Sequence, residues 1–231
     1  MKKTIIYCVL CLVSIKLMAQ DGVEEFALTK IGAIVDYSIS AQTGLSSKGK
    51  LVAYARLTVA DVSVNDDKKT IIYNYDGLTP KKKPMGKNAS DIKQKLVIEN
   101  GLMIFEDDPL INAGTYKTSH EGFAFKIPVT MKIGDKIETG TITERAKFPM
   151  HKEIENIIRY DDFCVVGEED INTNMGMFHC YKVSGKLNGT LQTIPLEMTN
   201  YAIWFSPKIG IVKIETDYYK ETLLLDSVTG F

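Results

Sequence analysis

The sequence is poor in the side chains that carry chemistry. It holds three histidines, four cysteines and one tryptophan in 231 residues. The histidines, His120, His151 and His179, are widely scattered, so their spacing gives no reason to propose a triad. A nucleophilic serine needs a base within reach, and no Gly-x-Ser-x-Gly turn is present to expose one. Phosphate cradles are missing as well. Gly185-Lys186 lacks the preceding Gly-x-x-x-x of a P-loop, and no Gly-x-Gly-x-x-Gly opens a helix. Cys164, His179 and Cys180 do not match the ligand spacing of a structural zinc site, and no full calcium-loop pattern occurs. Glu168-Glu169-Asp170 reads as a solvated turn, and His179 as an ordinary sheet position. The sequence therefore offers no catalytic, cofactor-binding or metal-ligating residue, and it predicts neither an enzyme nor a bound cofactor.

Charge of one sign is also lacking. The formal net charge is −1, which gives no global field to attract nucleic acid or an anionic membrane. The one basic run, Lys81, Lys82, Lys83 and Lys87, is interrupted by Pro84 and Gly86 and reads as a solvated loop. Nor does any segment reach the ~20 apolar residues needed to span a bilayer. The longest apolar stretch, Ile5 to Leu17, is broken by Ser14 and Lys16.

That stretch has another reading. Lys2 and Lys3 precede it, and Ala19 follows as a small residue before Gln20, which together make a cleavable signal peptide over residues 1–19. Residues 20–231 are then expected to form a single exported domain, periplasmic or at the cell surface, with no integral membrane segment. Processing discards Cys8 and Cys11 and leaves Cys164 and Cys180 in a compartment where disulfides form. If Phe163–Gly167 pairs with Met177–Val183 through a turn near Asn172, the two sulfurs face each other. The alternative is two buried thiols, which pack as small hydrophobes.

What the sequence does have is alternation with period two, the signature of strands with one buried face. The clearest run is Phe123, Phe125, Ile127, Val129, Met131 and Ile133, in which Pro128 marks an edge, a bulge or a break. The pattern recurs at Ala33–Ile39, at Leu51–Val59 and at Val212–Thr216. Asn100-Gly101, Gly134-Asp135 and Pro207–Gly210 supply turns between runs, and Asn188-Gly189 reads as a further turn. Ser90–Lys95 and Lys152–Arg159 fit a short helix or a strand. The predicted fold class is all-β: an antiparallel meander closing into a barrel or half-barrel, because closure removes exposed strand edges.

Three segments carry a resemblance. Trp204-Phe205-Ser206-Pro207-Lys208-Ile209-Gly210-Ile211-Val212-Lys213 is similar to a Trp-aromatic-Ala-Pro-Gly-aliphatic-Gly-aliphatic-Val-Lys motif. Val166–Ile171 followed by Gly176–Val183 resembles a Val-x-Gly-x-Glu hairpin whose return strand reads Gly-x-Phe-x-Cys-Tyr-Lys, and Pro128–Gly140 resembles a Pro-x-x-x-x-aliphatic-Gly-Asp segment. In this order they resemble the TapB-like family of exported β-barrel domains of unknown function. Lys208 and Asn174-Met175 depart from that pattern at turns. The resemblance implies a fold and supplies no active site. The expected function is non-catalytic binding in the cell envelope, of a small apolar ligand if the interior is hollow, or of an envelope protein if it is solid. The clustered aromatics Tyr201, Trp204, Phe205, Tyr218 and Tyr219 read as core or as ligand-facing.

Overall fold

The structure is a computed structural model that describes residues 29–42, 49–85, 92–108, 117–147, 153–191, 194–206, 209–217 and 220–230. The signal peptide expected over residues 1–19 lies outside these, as do His151, Lys87, Tyr218 and Tyr219. Among the described residues there is no α-helix, and so no helix long and apolar enough to cross a membrane. Of the two segments that fitted either helix or strand, Ile92–Lys95 and Ile154–Arg159 are strands.

Fourteen strands follow one another along the chain: β1 (Ile34–Ala41), β2 (Lys50–Asn65), β3 (Lys68–Leu78), β4 (Ile92–Glu99), β5 (Leu102–Phe105), β6 (Lys117–Gly122), β7 (Phe125–Pro128), β8 (Glu138–Thr139), β9 (Thr141–Ala146), β10 (Ile154–Thr173), β11 (Gly176–Leu191), β12 (Ile194–Ser206), β13 (Gly210–Thr216) and β14 (Glu221–Thr229). All pair antiparallel in one sheet of order β6-β9-β10-β11-β12-β13-β14-β1-β2-β3-β4-β5-β7-β8. The C-terminal strand β14 pairs with β1, which joins the two halves of the meander. The end strands β6 and β8 do not pair with each other, so the ladder is not closed, an arrangement compatible with a barrel or half-barrel. Instead, residues 134–140 lie on β10 from the far end of the sheet. Gly134 N–H donates to Val165 C=O (2.8 Å), Val165 N–H to Asp135 C=O (2.9 Å) and Ile137 N–H to Phe163 C=O (2.9 Å).

The alternation expected of half-buried strands is present. Val35 and Tyr37 of β1, Ala55 and Val59 of β2, Ile71 and Tyr73 of β3, and Leu223 and Leu225 of β14 belong to one continuous buried cluster. Asn100 and Gly101 both take positive φ (51° and 73°), the backbone that a tight β4–β5 hairpin requires. The long run from Phe123 to Ile133 is shorter than its pattern suggested. β7 ends at Pro128, which has no N–H to continue a ladder, and Ile133 is exposed. Asn188-Gly189 is not a turn but lies inside β11, where the pairing with β12 shifts register.

The β10–β11 hairpin extends past its neighbours. β9 pairs only with residues 154–159 of β10, and β12 pairs with β11 only from Tyr181 onward. Its register also settles the cysteines. Cys164 is opposite Ser184 and Cys180 is opposite Glu169, so the sulfurs are offset along the hairpin and both thiols are free.

Candidate functional site

The interior has a packed end with a cavity beside it. At the packed end Phe105, Phe125, Tyr160, Phe163 and Tyr201 interlock, with ring centroids 4.9 to 6.3 Å apart, the separation at which aromatic rings attract through offset and edge-on contacts. Beside them lies a cavity of about 70 Å³, lined largely by Tyr37, Leu57, Tyr73, Leu96, Met103 and Phe205, with Gln94, Lys95 and Asp107 as its polar members. Phe205 therefore faces the cavity, Tyr201 belongs to the packed end, and Trp204 is buried on the opposite side of β12. The Tyr37 hydroxyl donates to the Ile211 carbonyl (3.0 Å), and burial holds its pKa above the ordinary phenol value.

The chain carries a buried polar cluster that the sequence did not announce. In β9, Ile142, Glu144 and Ala146 occupy one buried face, so Glu144 stands where the alternation reserves an apolar side chain. Its cross-strand neighbours are His120 of β6 and Asn156 of β10, the latter in phase with buried Ile158 and Tyr160. Asp107 and Asp108, just past β5, complete the group. Asp107, Asp108 and Glu144 are 8%, 1% and 2% exposed, and carboxylates are almost never that buried unless paired, protonated or bound to a cation.

Each acid has a distinct setting. Asp108 accepts from the Tyr160 hydroxyl (2.5 Å) and the Tyr201 hydroxyl (3.2 Å). Burial, then the Asp108 charge, raise both phenols well above their ordinary pKa, so they remain donors. Asp107 Oδ2 accepts from the Lys95 backbone N–H (3.2 Å), while the Lys95 ammonium reaches Glu106 (2.8 Å). The Nδ1 of His120 stands 3.5 Å from Asp107 Oδ1 and 3.6 Å from Glu144 Oε1. One ligand atom from each of Asp107, His120 and Glu144 falls within 4.8 Å of the others. The signal that could have found this site is a phase error: a carboxylate at Glu144 and an amide at Asn156 in otherwise apolar registers.

The other histidine within the described residues sits on the surface. His179 lies between Asp170 (Nδ1 to Oδ1 2.8 Å) and Glu168 (Nε2 to Oε2 3.1 Å), whose hydrogen bonds hold its pKa above the ordinary imidazole value. The acidic run is accordingly not a turn but strand β10. Its middle member, Glu169, accepts from the Trp204 indole N–H (2.9 Å) and the Lys182 ammonium (3.0 Å). Lys182 and Lys213 cover the Trp204 ring from 4.7 and 4.3 Å, as cations do over an indole face. Lys82, expected in a solvated loop, instead bridges Asp226 (2.7 Å) and Asp36 (3.6 Å).

The antiparallel sheet belongs to a known structural class. The fold is similar to the crystal structure of a Bacteroides fragilis protein inferred to be exported and having a YmcC-like fold, with a TM-score of 0.69 and 17% identity over 89% of this chain and 99% of that one. A Parabacteroides distasonis protein inferred to be a lipoprotein is similar with a TM-score of 0.65 and 16% identity, again over 89% and 99% of the two chains. At these identities the likeness establishes the fold. The chain belongs to the DUF3108-like family, whose model matches residues 39–228. No curated protein matches it.

Proposed function

We propose that this protein is an exported, non-catalytic binding module of the cell envelope that takes an apolar group into its interior cavity. The observation that carries this reading is the cavity itself, whose wall is largely apolar. Export is supported by the signal-peptide pattern of residues 1–19 and by the description of structurally similar proteins as exported or as lipoproteins. The order of the motifs at Pro128–Gly140, Val166–Val183 and Trp204–Lys213 supports a TapB-like member of the family.

Size decides the class of ligand. A site that encloses a drug-sized molecule occupies ~300–1,000 Å³, and an apolar void of ~150 Å³ holds benzene. A cavity of about 70 Å³ suits the end of one acyl chain or a small branched group rather than a whole lipid. Native mass spectrometry with saturated fatty acids of eight to sixteen carbons tests this. A one-to-one complex is expected, weakened about tenfold by Leu57→Phe, which fills the cavity. Absence of any complex at millimolar fatty acid would discard the reading.

One observation favours a protein partner instead. Met175 and Met177, at the tip of the β10–β11 hairpin, are 39% and 72% exposed. Adaptable methionines at a projecting tip suit contact with another protein. Crosslinking from this hairpin in native envelopes should recover one reproducible partner, and capture unchanged by Met177→Ser would remove the hairpin from that role.

A further inference from the structure

We infer that Asp107, His120 and Glu144 form a binding site for a divalent transition-metal ion of the Zn²⁺ type, with its fourth position open to the apolar cavity. Ligand type is the first ground. One imidazole and two carboxylates are ligands that Zn²⁺ accepts, at ~2.0–2.2 Å. Geometry is the second. His120 Nδ1 lies 3.5 and 3.6 Å from the two carboxylate oxygens. An ion about 2.1 Å from His120 Nδ1 and from either oxygen would subtend roughly 110–120° at these two nitrogen–oxygen separations, and sharing it would bring the two oxygens, now within 4.8 Å, to about 4.2 Å or less. That angle is near the tetrahedral one, and wider than the right angle an octahedral Mg²⁺ site prefers.

The three carboxylates Asp107, Asp108 and Glu144 are nearly inaccessible to water, and two tyrosine hydroxyls serve Asp108. A proton shared between acids is the rival to a metal ion here, and it makes no demand for metal.

The third ground is independent of the acids. Gln94 is 7% exposed, and its Nε2 makes no hydrogen bond among the described residues. A buried amide donor left unsatisfied is destabilising, so the position calls for an acceptor. Gln94 lines the same cavity as Asp107. A water on the open position of the ion would accept from this amide, and Gln94 would then be a positioning residue that orients the water. The elements involved are spread along the chain: Asp107 follows β5, His120 is on edge strand β6, Glu144 on β9 and Gln94 on β4. No short-spacing motif could bring them together.

The test uses the mature chain stripped with a chelator and titrated calorimetrically with Zn²⁺ alone. One equivalent is expected to bind, with at least a tenfold loss in His120→Gln and in Glu144→Gln and a smaller loss in Gln94→Leu. The surface variant His179→Ala should bind as wild type. Co²⁺ in place of Zn²⁺ should give the intense visible absorption of a tetrahedral site, a readout that a purely structural role for these residues does not produce. If a variant fails to fold, the His120 imidazole nitrogen resonances of the wild-type chain decide, and they should move on adding one equivalent of Zn²⁺. No stoichiometric binding, unmoved His120 resonances, or binding abolished by His179→Ala would each overturn the assignment. Fatty-acid binding by the metal-stripped chain remains a separate measurement, so either reading can fail without the other.

Discussion

The ring of Phe163 lies directly over the backbone of Gly185, so closely that a Cβ added at Gly185 would fall 2.1 Å from Phe163 Cδ2 and 2.5 Å from Cγ. The pairing arises from a bulge in β10, where the register against β11 shifts between Asp161 and Cys164 and Asp162 takes a φ of 56°. The bulge turns Phe163 inward to join Phe125, Tyr160 and Tyr201. A sheet glycine thus becomes the floor on which an interior aromatic rests.

Gly185→Ala should therefore destabilise the fold by about 1–3 kcal/mol through overpacking, read as a lowered denaturant midpoint. Phe163→Ala alone should cost about 3–5 kcal/mol. In that background Gly185→Ala should cost far less, because the clash is gone. A double-mutant cycle with no coupling energy would show that the ring has another resting place.

The outer face of β1 holds a second test. Asp36 is 3% exposed and accepts from both ends of the Arg56 guanidinium fork (2.7 and 2.8 Å). Burial pushes the Asp36 carboxyl up, but Arg56 and Lys82 outweigh it and leave its pKa below the ordinary value. A depressed folded-state pKa contributes stability that is present above the unfolded value of about 3.9 and is lost as pH falls through the folded value. Asp36→Asn should flatten the acid limb of the stability profile below about pH 4. Arg56→Met, which leaves the buried carboxylate only the longer contacts to Lys82 (3.6 Å) and Ser227 (3.5 Å), should cost about 1–3 kcal/mol at neutral pH.

The offset of Cys164 and Cys180 across the hairpin predicts two labelled thiols in unreduced protein by mass spectrometry. They should differ in reactivity. Burial, aided by Asp170 and Glu169, pushes the Cys180 thiol up to about 12, and its Sγ–H donates to the Phe178 carbonyl. Cys180 should therefore resist iodoacetamide at pH 8 in the folded protein and react on unfolding. A species two mass units lighter with no label would restore the disulfide.

The strands were legible because each side chain's burial depends mostly on its parity, and parity is local. Asn100-Gly101 was legible for the same reason, since its positive φ angles belong to the dipeptide itself. Features that depend on a distant partner were not. Gly189 looks like a turn residue, yet it is required because a Cβ there would meet the Ile157 carbonyl oxygen at 1.8 Å across the ladder. Glu144 breaks the apolar register of β9, but what it faces shows only once β6 and the segment after β5 set His120 and Asp107 beside it. The acidic run at Glu168–Asp170 hid a hairpin partner in the same way, because only the β10–β11 register shows His179 opposite Asp170.

That register sets how His179 titrates. His179 is exposed and hydrogen-bonded by Asp170 and then Glu168, and both favour the imidazolium. Its NMR titration midpoint should lie above the ordinary imidazole value of about 6.5. A pKa raised on folding contributes stability that is complete below the unfolded value and fades as pH rises through the folded one. Asp170→Asn should lower the midpoint more than Glu168→Gln, following the order of the two hydrogen bonds. Added salt should shrink the difference, because these charges face water. A midpoint at or below the ordinary value, unmoved by either substitution, would mean that the two carboxylates do not hold the ring in solution.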